Sequence, residues 1–296
     1  MSEEKKGMLA AGAAYTIFGL SYLFSKMALE AAEPAILLCA RFSLTLVLMN
    51  ILAATGVLKL NLRGKSLKGP ILLGLLQPAL YFILENYGIK YTSTSFTGMV
   101  SSVSPVFSAA LGAVMLREKP NAKQWAAILV TIAGVMLVSL GGGGGQNTLA
   151  GCMCLLGAYL SGAYYSILVR RLTREYTPFE LTYIMFTVGF MFFAAMALVQ
   201  YGGGVFAALG AAFARPRFVL AVVYLGAVAS VGAYLLVNYS LSRLPVARST
   251  IFTSLSTVVS VLSGVVIMGD PFTPVSALAF ALILAGVWGV NRFAER

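Results

Sequence analysis

The 296-residue chain contains no histidine. That removes the one side chain whose charge ordinarily changes near neutral pH, and with it the usual proton relay and the commonest metal ligand. Charge of any kind is scarce: Asp, Glu, Lys and Arg make up 10% of the residues, against about 25% in a soluble domain. A water-soluble fold of this length is excluded, because its core would have almost no polar surface to cover it. Cysteine occurs three times, as Cys39, Cys152 and Cys154, in or beside apolar stretches. An odd count without zinc-type spacing offers neither a disulfide framework nor a metal site, and no cofactor is expected. Acidic residues are outnumbered ten to 21 by basic ones, giving a net charge of +11. The basic residues sit in short loops between apolar runs, where they set membrane topology, so no nucleic-acid partner is expected.

What is present is hydrophobic sequence, 59% of the chain, with a mean hydropathy of +0.88. A helical span needs about 20 mostly apolar residues. Ten segments meet that length approximately, at 8–29, 34–54, 69–88, 95–116, 124–140, 149–171, 179–199, 217–240, 247–268 and 274–292. The first is too long and too aromatic for a signal-peptide core and is read as a retained span. The glycine run 141–145 divides the chain into residues 1–140 and 146–296, five spans each. With both ends on one side, that side holds sixteen Lys and Arg, and the other holds only Lys90, Arg215 and Arg217. Both termini are therefore expected in the cytoplasm.

The halves repeat. Residues 86–138 align without gaps on 238–290, with thirteen identities at an offset of 152. Composition alone would give about four or five. Tyr15 and Pro34 match Tyr159 and Pro178 at an offset of 144, the difference arising from a longer loop at 201–216. Five spans is an odd number, so the second half enters the membrane in the opposite sense, which makes an inverted repeat. Within the repeat, Thr97, Ser101, Ser104, Ser108 and Gly112 fall on one helical stripe, and Ser249, Thr253, Ser256, Ser260 and Gly264 repeat it. Such a stripe is expected where two helices cross closely, or where a pathway is lined, near the pseudo-symmetry axis. Pro105 removes a backbone donor and frees the carbonyl of Ser101, a place for a bend or hinge.

Polar and aromatic residues gather on other faces. Tyr15, Phe18 and Tyr22 share a face of the first span; Gln77, Tyr81 and Glu85 stand at i, i+4 and i+8 on the third. Tyr159, with Ala163 and Ser166, marks the sixth span, and Tyr234 with Asn238 marks the eighth. These tyrosines lie deeper than an interfacial belt, and buried hydroxyl and amide groups need partners there. A wet central cavity would supply them. Of the ionisable residues within spans, Lys26 and Glu30 read as snorkelling at the outer end of the first. Arg41 reads as a clamp to Glu85, Glu30 or Glu33. Glu85 reads as part of that clamp, as a partner for a solute ammonium, or as a proton-exchanging group.

The pattern Phe18-Gly19, Lys26, Pro34 and Arg41-Phe42, followed by Pro105, Glu118 and Gly134, resembles the EamA-type drug/metabolite transporters. The chain departs from their pattern in having Phe18 for a usual tryptophan, Thr257 for the second-half proline, and Asp270 for the second-half glutamate. The resemblance implies an all-α membrane protein of ten transmembrane helices in two inverted five-helix repeats around a central cavity. It is similar above all to the YddG-type amino acid exporters, which implies export of aromatic and other small amphipathic metabolites across a bacterial inner membrane. The duplication supplies both halves of a pathway, so a monomer in the lipid bilayer suffices. A passive facilitator, or a carrier of another metabolite such as a sugar conjugate, fits the same architecture. A membrane-embedded enzyme would need a catalytic cluster, and the chain has no histidine and no paired carboxylates at an interface.

Overall fold

The computed structural model describes residues 2–56, 60–115, 121–141, 147–245, 248–249 and 252–293. All regular elements among them are helical. The first five spans are Glu3–Leu29; Pro34–Ala54; Lys68–Gly74 continued through Leu75–Leu80 to Tyr81–Lys90; Thr94–Ser101 with Ser104–Met115; and Ala122–Gly141. The second five are Leu149–Leu172; Pro178–Tyr201; Pro216–Val223 continued through Tyr224–Ala233 to Tyr234–Arg243; Thr253–Ser263 with Gly264–Met268; and Pro274–Arg292. Sequence marks the starts: Pro34, Pro178, Pro216 and Pro274 occupy first-turn positions, where the missing N–H has no helical acceptor. Thr177 and Glu180 form a reciprocal capping box at the seventh span.

Several expectations change in detail. The segment 201–216, read as a long loop, is a one-turn 3-10 helix and a short helix, Val205–Phe213, that buries Val205 and Ala212. Phe206 is exposed, and nine residues are too few for a crossing. The 142–145 part of the glycine run, Lys59, Arg117, Glu118, Lys119 and Arg296 lie outside the described residues.

Contacts between the halves come in matched pairs. Gly7 packs against Arg243 and Leu244; its counterpart Gly151 packs against Tyr91 and Thr92, which are Arg243 and Leu244 shifted by 152. Gly74 meets Met185 and Val188, and Gly226 meets Arg41 and Leu44, again equivalent by the two offsets. Gly134 lies on Ala279 and Ile283, while Gly286 lies on Ala127 and Thr131. First and second spans of each half thus pack on the third span of the other, and the fifth packs on the tenth. The missing Cβ lets backbones approach where no hydrophobic drive separates helix from lipid. The two repeats interlock, and the aromatic core between them includes the matched pair Phe42 and Phe186, 5.5 Å apart.

The first and third spans are joined in the same paired way. Lys26 Nζ donates to the carbonyls of Ile89 (2.9 Å), Lys90 and Thr92. Arg170, at the matching position of the sixth span, donates to the carbonyls of Leu241 (3.0 Å) and Ser242 (3.1 Å), the counterparts of Ile89 and Lys90. Each cation satisfies the open carbonyls at a helix C-terminus. Lys26 therefore caps a helix rather than snorkelling to water.

Candidate functional site

Three spans lose regular α-geometry where they meet the centre. Gln77 has non-helical angles (φ −146°, ψ 115°) within the third span, just before Pro78. The ladder is broken there, and Ser161 of the sixth span donates to the carbonyl of Leu76 at 2.8 Å. The matching stretch of the eighth span, Tyr224–Ala233, is wound as a π-helix. In the fourth span the helix stops at Ser101 and resumes at Ser104, ahead of Pro105. Ser104 Oγ takes the Ser101 carbonyl at 2.8 Å, and in the ninth span Ser256 Oγ takes the equivalent Thr253 carbonyl at 2.8 Å. Broken helices at membrane depth are tolerated where side chains re-satisfy the backbone or a cavity is lined.

Between these breaks lies a narrow cavity of about 80 Å³. A water needs about 10–15 Å³ of such space, so the cavity has room for several. Of the residues expected to line a cavity, Tyr15, Phe18, Tyr22, Gln77, Tyr81, Glu85, Tyr159 and Tyr234 all border it. Asn238 does not. It stands behind the wall, with its amide donating to Thr182 Oγ1 at 2.7 Å and its carbonyl accepting from Tyr165. Arg41, Ser21, Phe82, Gly162, Tyr165 and Val237 complete much of the lining. Tyr165 was not expected: six residues beyond Tyr159 it lies about 120° away round the helix, and it borders the cavity beside Gly162 and Ser166.

The lining is mutually braced. Phe18 lies edge-on to Tyr15 at 5.8 Å and to Tyr234 at 5.1 Å, linking the first and eighth spans. Gln77 donates to the Tyr234 hydroxyl, and the Tyr159 hydroxyl donates to the Thr97 carbonyl at 3.2 Å. Tyr81 OH donates to Glu85 Oε1 at 2.7 Å. Arg41 is 2% exposed; its Nε donates to Ser230 Oγ at 3.0 Å and its guanidinium lies 4.2 Å over the Phe82 ring. The expected clamp is absent: Arg41 forms no ion pair with Glu85 or Glu30, and Glu33 instead meets Lys90 at 2.6 Å.

The two small-residue stripes divide between lining and contact. Ser104, Ser108, Thr253 and Ser256 border the cavity, and the Ser108 hydroxyl is buried without a hydrogen-bond partner. Spans four and nine do cross closely, but the fourth span uses Ser95, Gly98 and Ser102 rather than the Thr97–Gly112 stripe. Gly98 abuts Ser260, whose Oγ donates to the Thr94 carbonyl at 2.9 Å; Ser102 hydrogen-bonds Thr257; Gly264 abuts Ser95. Ser101 Oγ turns back on the Gly98 carbonyl at 2.7 Å, Pro105 sits at the restart of the broken helix, and Gly112 is buried. Ser95, Gly98 and Ser102 stand at i, i+3 and i+7 ahead of the restart at Ser104, on a face neighbouring that of Thr97 and Ser101.

Known proteins carry the same organisation. The family model described as the EamA-like transporter family matches twice, at residues 5–140 and 149–292. The uncharacterized transporter YcxC of Bacillus subtilis (strain 168) is 35% identical over 283 residues, covering 95% of this chain and 91% of its own. A protein of Streptantibioticus cattleyicolor named a probable terminal-alkyne amino-acid exporter is 27% identical over 230 residues, 78% of this chain and 75% of its own. A crystal structure 19% identical superposes with a TM-score of 0.65, covering 98% of each chain, and shows a shared fold. With ten helical spans in two inverted repeats, a braced cavity between them, and a family model that matches each repeat in turn, this membrane protein belongs to the EamA-like transporter family.

Proposed function

We propose that the protein exports amino acids and related small amphipathic metabolites across a bacterial inner membrane by alternating access, with both termini in the cytoplasm and one chain as the working unit. The observation that carries this reading is the cavity wall: six tyrosines, Tyr15, Tyr22, Tyr81, Tyr159, Tyr165 and Tyr234, interleaved with Gln77, Glu85 and Arg41. Tyrosine faces pack against apolar side chains while their hydroxyls hydrogen-bond, which suits a solute with one apolar and one polar end. The amino-acid exporter among the relatives supports the same class.

A carrier is favoured over a passive facilitator because ties cross both ends of the cavity. On the proposed outer side, besides the Lys26 cap, Ser95 N–H donates to Asp270 at 2.7 Å and Arg215 to the Glu30 carbonyl at 3.2 Å. On the inner side Lys65 meets Glu180 at 2.7 Å, Arg243 meets Glu3 at 3.4 Å, and Arg248 meets Glu4. Helices tied at both ends would have to release those ties in turn as they rock about the crossing of spans four and nine. Purified protein in liposomes, assayed for uptake of labelled amino acids, tests this. Counterflow that depends on unlabelled amino acid loaded inside is expected. Uptake indifferent to loading would mean a facilitator, and no movement of any amino acid would overturn the substrate class.

A further inference from the structure

Arg41 and Glu85 are opposite charges in one cavity, both at least 95% buried, yet they do not form an ion pair. Of the five N–H donors of Arg41, the one on Nε goes to Ser230. The terminal nitrogens donate to no described residue, and the side chain borders the cavity. Glu85 accepts from Tyr81 through Oε1 alone, and its side chain borders the cavity. A lone buried ion at membrane depth is expensive, and two that could pair with each other but do not are more so. The arrangement is suited to something that meets both at once.

We propose that Arg41 and Glu85 form a two-pole site for the zwitterionic head of an α-amino acid, the guanidinium binding its carboxylate and Glu85 its ammonium. This deepens the exporter reading and rests on it. An α-carboxylate carbon and an α-nitrogen stand about 2.5 Å apart by covalent geometry. Adding a charge-assisted hydrogen bond of about 2.8 Å on either side requires the two protein groups to stand roughly 6–8 Å apart. Direct contact between Arg41 and Glu85 would exclude the solute; instead Arg41 is held by Ser230 and Phe82, and Glu85 by Tyr81, with no ion pair between them. Arg suits the carboxylate pole because its planar fork matches two oxygens. The tyrosine wall then receives the solute side chain, so selection falls on the head group more than on the side chain.

The test uses solutes that keep the side chain and lose one pole. In counterflow of labelled L-phenylalanine, unlabelled phenethylamine lacks the carboxylate and 3-phenylpropionate lacks the ammonium; L-leucine with isoamylamine and 4-methylpentanoate serves as a second set. Wild type should prefer the zwitterion over either analogue by about 10- to 100-fold, the range expected for losing a hydrogen bond to a buried charge. Arg41→Met, which installs the residue found at the matching position 185, should shift the preference toward the amine about tenfold. Glu85→Gln should shift it toward the acid. Opposite shifts are the signature, since a merely structural pair would lower all three solutes together. Ligand-induced changes in melting temperature give the same ratios for a variant that folds but does not transport. Analogues that compete as well as L-phenylalanine in wild type, or variants that leave the ratios unchanged, would overturn the two-pole site while leaving amino-acid transport standing. Absence of counterflow for every amino acid would overturn the exporter reading and this site with it.

Discussion

In the first half of the chain Arg41, Gln77, Tyr81 and Glu85 border the cavity; at the matching positions the second half has Met185, Ala229, Ala233 and Val237. Elsewhere the halves are held to their pairing. Gly74 and Gly226, Gly134 and Gly286, and the cations Lys26 and Arg170 make equivalent contacts. The difference follows from where each group sits relative to the pseudo-two-fold axis. A packing contact away from the axis occurs twice, and each copy must be kept. The cavity lies on the axis and occurs once, so a second copy of each polar group is unnecessary. A second guanidinium there would also oppose the first: at 4 Å like charges repel by about 4 kcal/mol even at an effective dielectric of 20. Duplication accounts for the scaffold, and divergence of one half accounts for the polarity of the site.

The broadest way to break this comparison is to test the inversion itself. Ser66 and Gly203 both follow the second span of their half and are exposed. In a background lacking Cys39, Cys152 and Cys154, Ser66→Cys and Gly203→Cys should react with a membrane-impermeant thiol reagent from opposite sides, all or none. Labelling of both from one side would refute an inverted repeat and every pairing drawn from it.

Next in size are the paired glycines. A Cβ on Gly134 would stand 2.7 Å from Ile283 Cγ1 and 3.0 Å from the Ala279 carbonyl; on Gly286 it would stand 2.8 Å from the Ala127 carbonyl. Gly134→Leu and Gly286→Leu should each destabilise by about 1–3 kcal/mol and lower the melting temperature by a similar amount. Gly210→Leu has nothing within 4 Å of its Cβ and should leave it nearly unchanged. A large effect at one of the two and none at the other would show that the scaffold is less symmetric than its contacts.

How far the sequence could be read follows the same division. Spans, the internal repeat and the freed Ser101 carbonyl were legible because apolar length, repeated residues and proline chemistry are written in the sequence itself. The tyrosines and Gln77 were legible because polar atoms at membrane depth need a common partner, whatever the tertiary detail. The crossing face of the fourth span was not, because Ser95, Gly98 and Ser102 form a second small-residue set beside the stripe, and spacing alone does not say which face meets the ninth span. Arg41 was misassigned because an arginine and a glutamate on neighbouring helices invite pairing, and only geometry shows Ser230 and Phe82 holding it aside. The helix caps carried a signal that went unused: Lys26 and Arg170 match at the same offset of 144 that aligns Tyr15 with Tyr159.

The site's asymmetry can be sharpened with smaller changes. Tyr81→Ala and Gln77→Ala make the first half like the second, which already has alanine at both places. Each removes a hydrogen bond, to Glu85 or to Tyr234, worth about 1 kcal/mol and so several-fold in solute affinity. The melting temperature should stay within a few degrees, since both side chains face the cavity. Wild-type transport of every solute by both variants would put the pathway elsewhere.

The smallest effects are expected at the paired cations, and they separate charge from shape. Lys26 and Arg170 occupy equivalent places with different side chains, so what the scaffold needs there is a cation with several N–H donors over a helix C-terminus. The exchanges Lys26→Arg and Arg170→Lys keep that and should each change stability by less than about 0.5 kcal/mol, the range of a neutral surface substitution. Lys26→Met and Arg170→Met uncover the carbonyls and lose the interaction with the helix dipole, worth about 0.3–1 kcal/mol at a terminus and more where partly buried. Lys26 should show the larger loss of the two, because it reaches a third carbonyl at Thr92 beyond the two that match those of Arg170. Amide exchange gives the local readout: Lys26→Met should speed exchange in the last turn of Tyr81–Lys90, and Arg170→Met in the last turn of Tyr234–Arg243, each leaving the other unaffected. If Lys26→Met changed neither stability nor exchange while Arg170→Met changed both, the Lys26 cap would be an incidental contact and the pairing of the two ends would fail at that point.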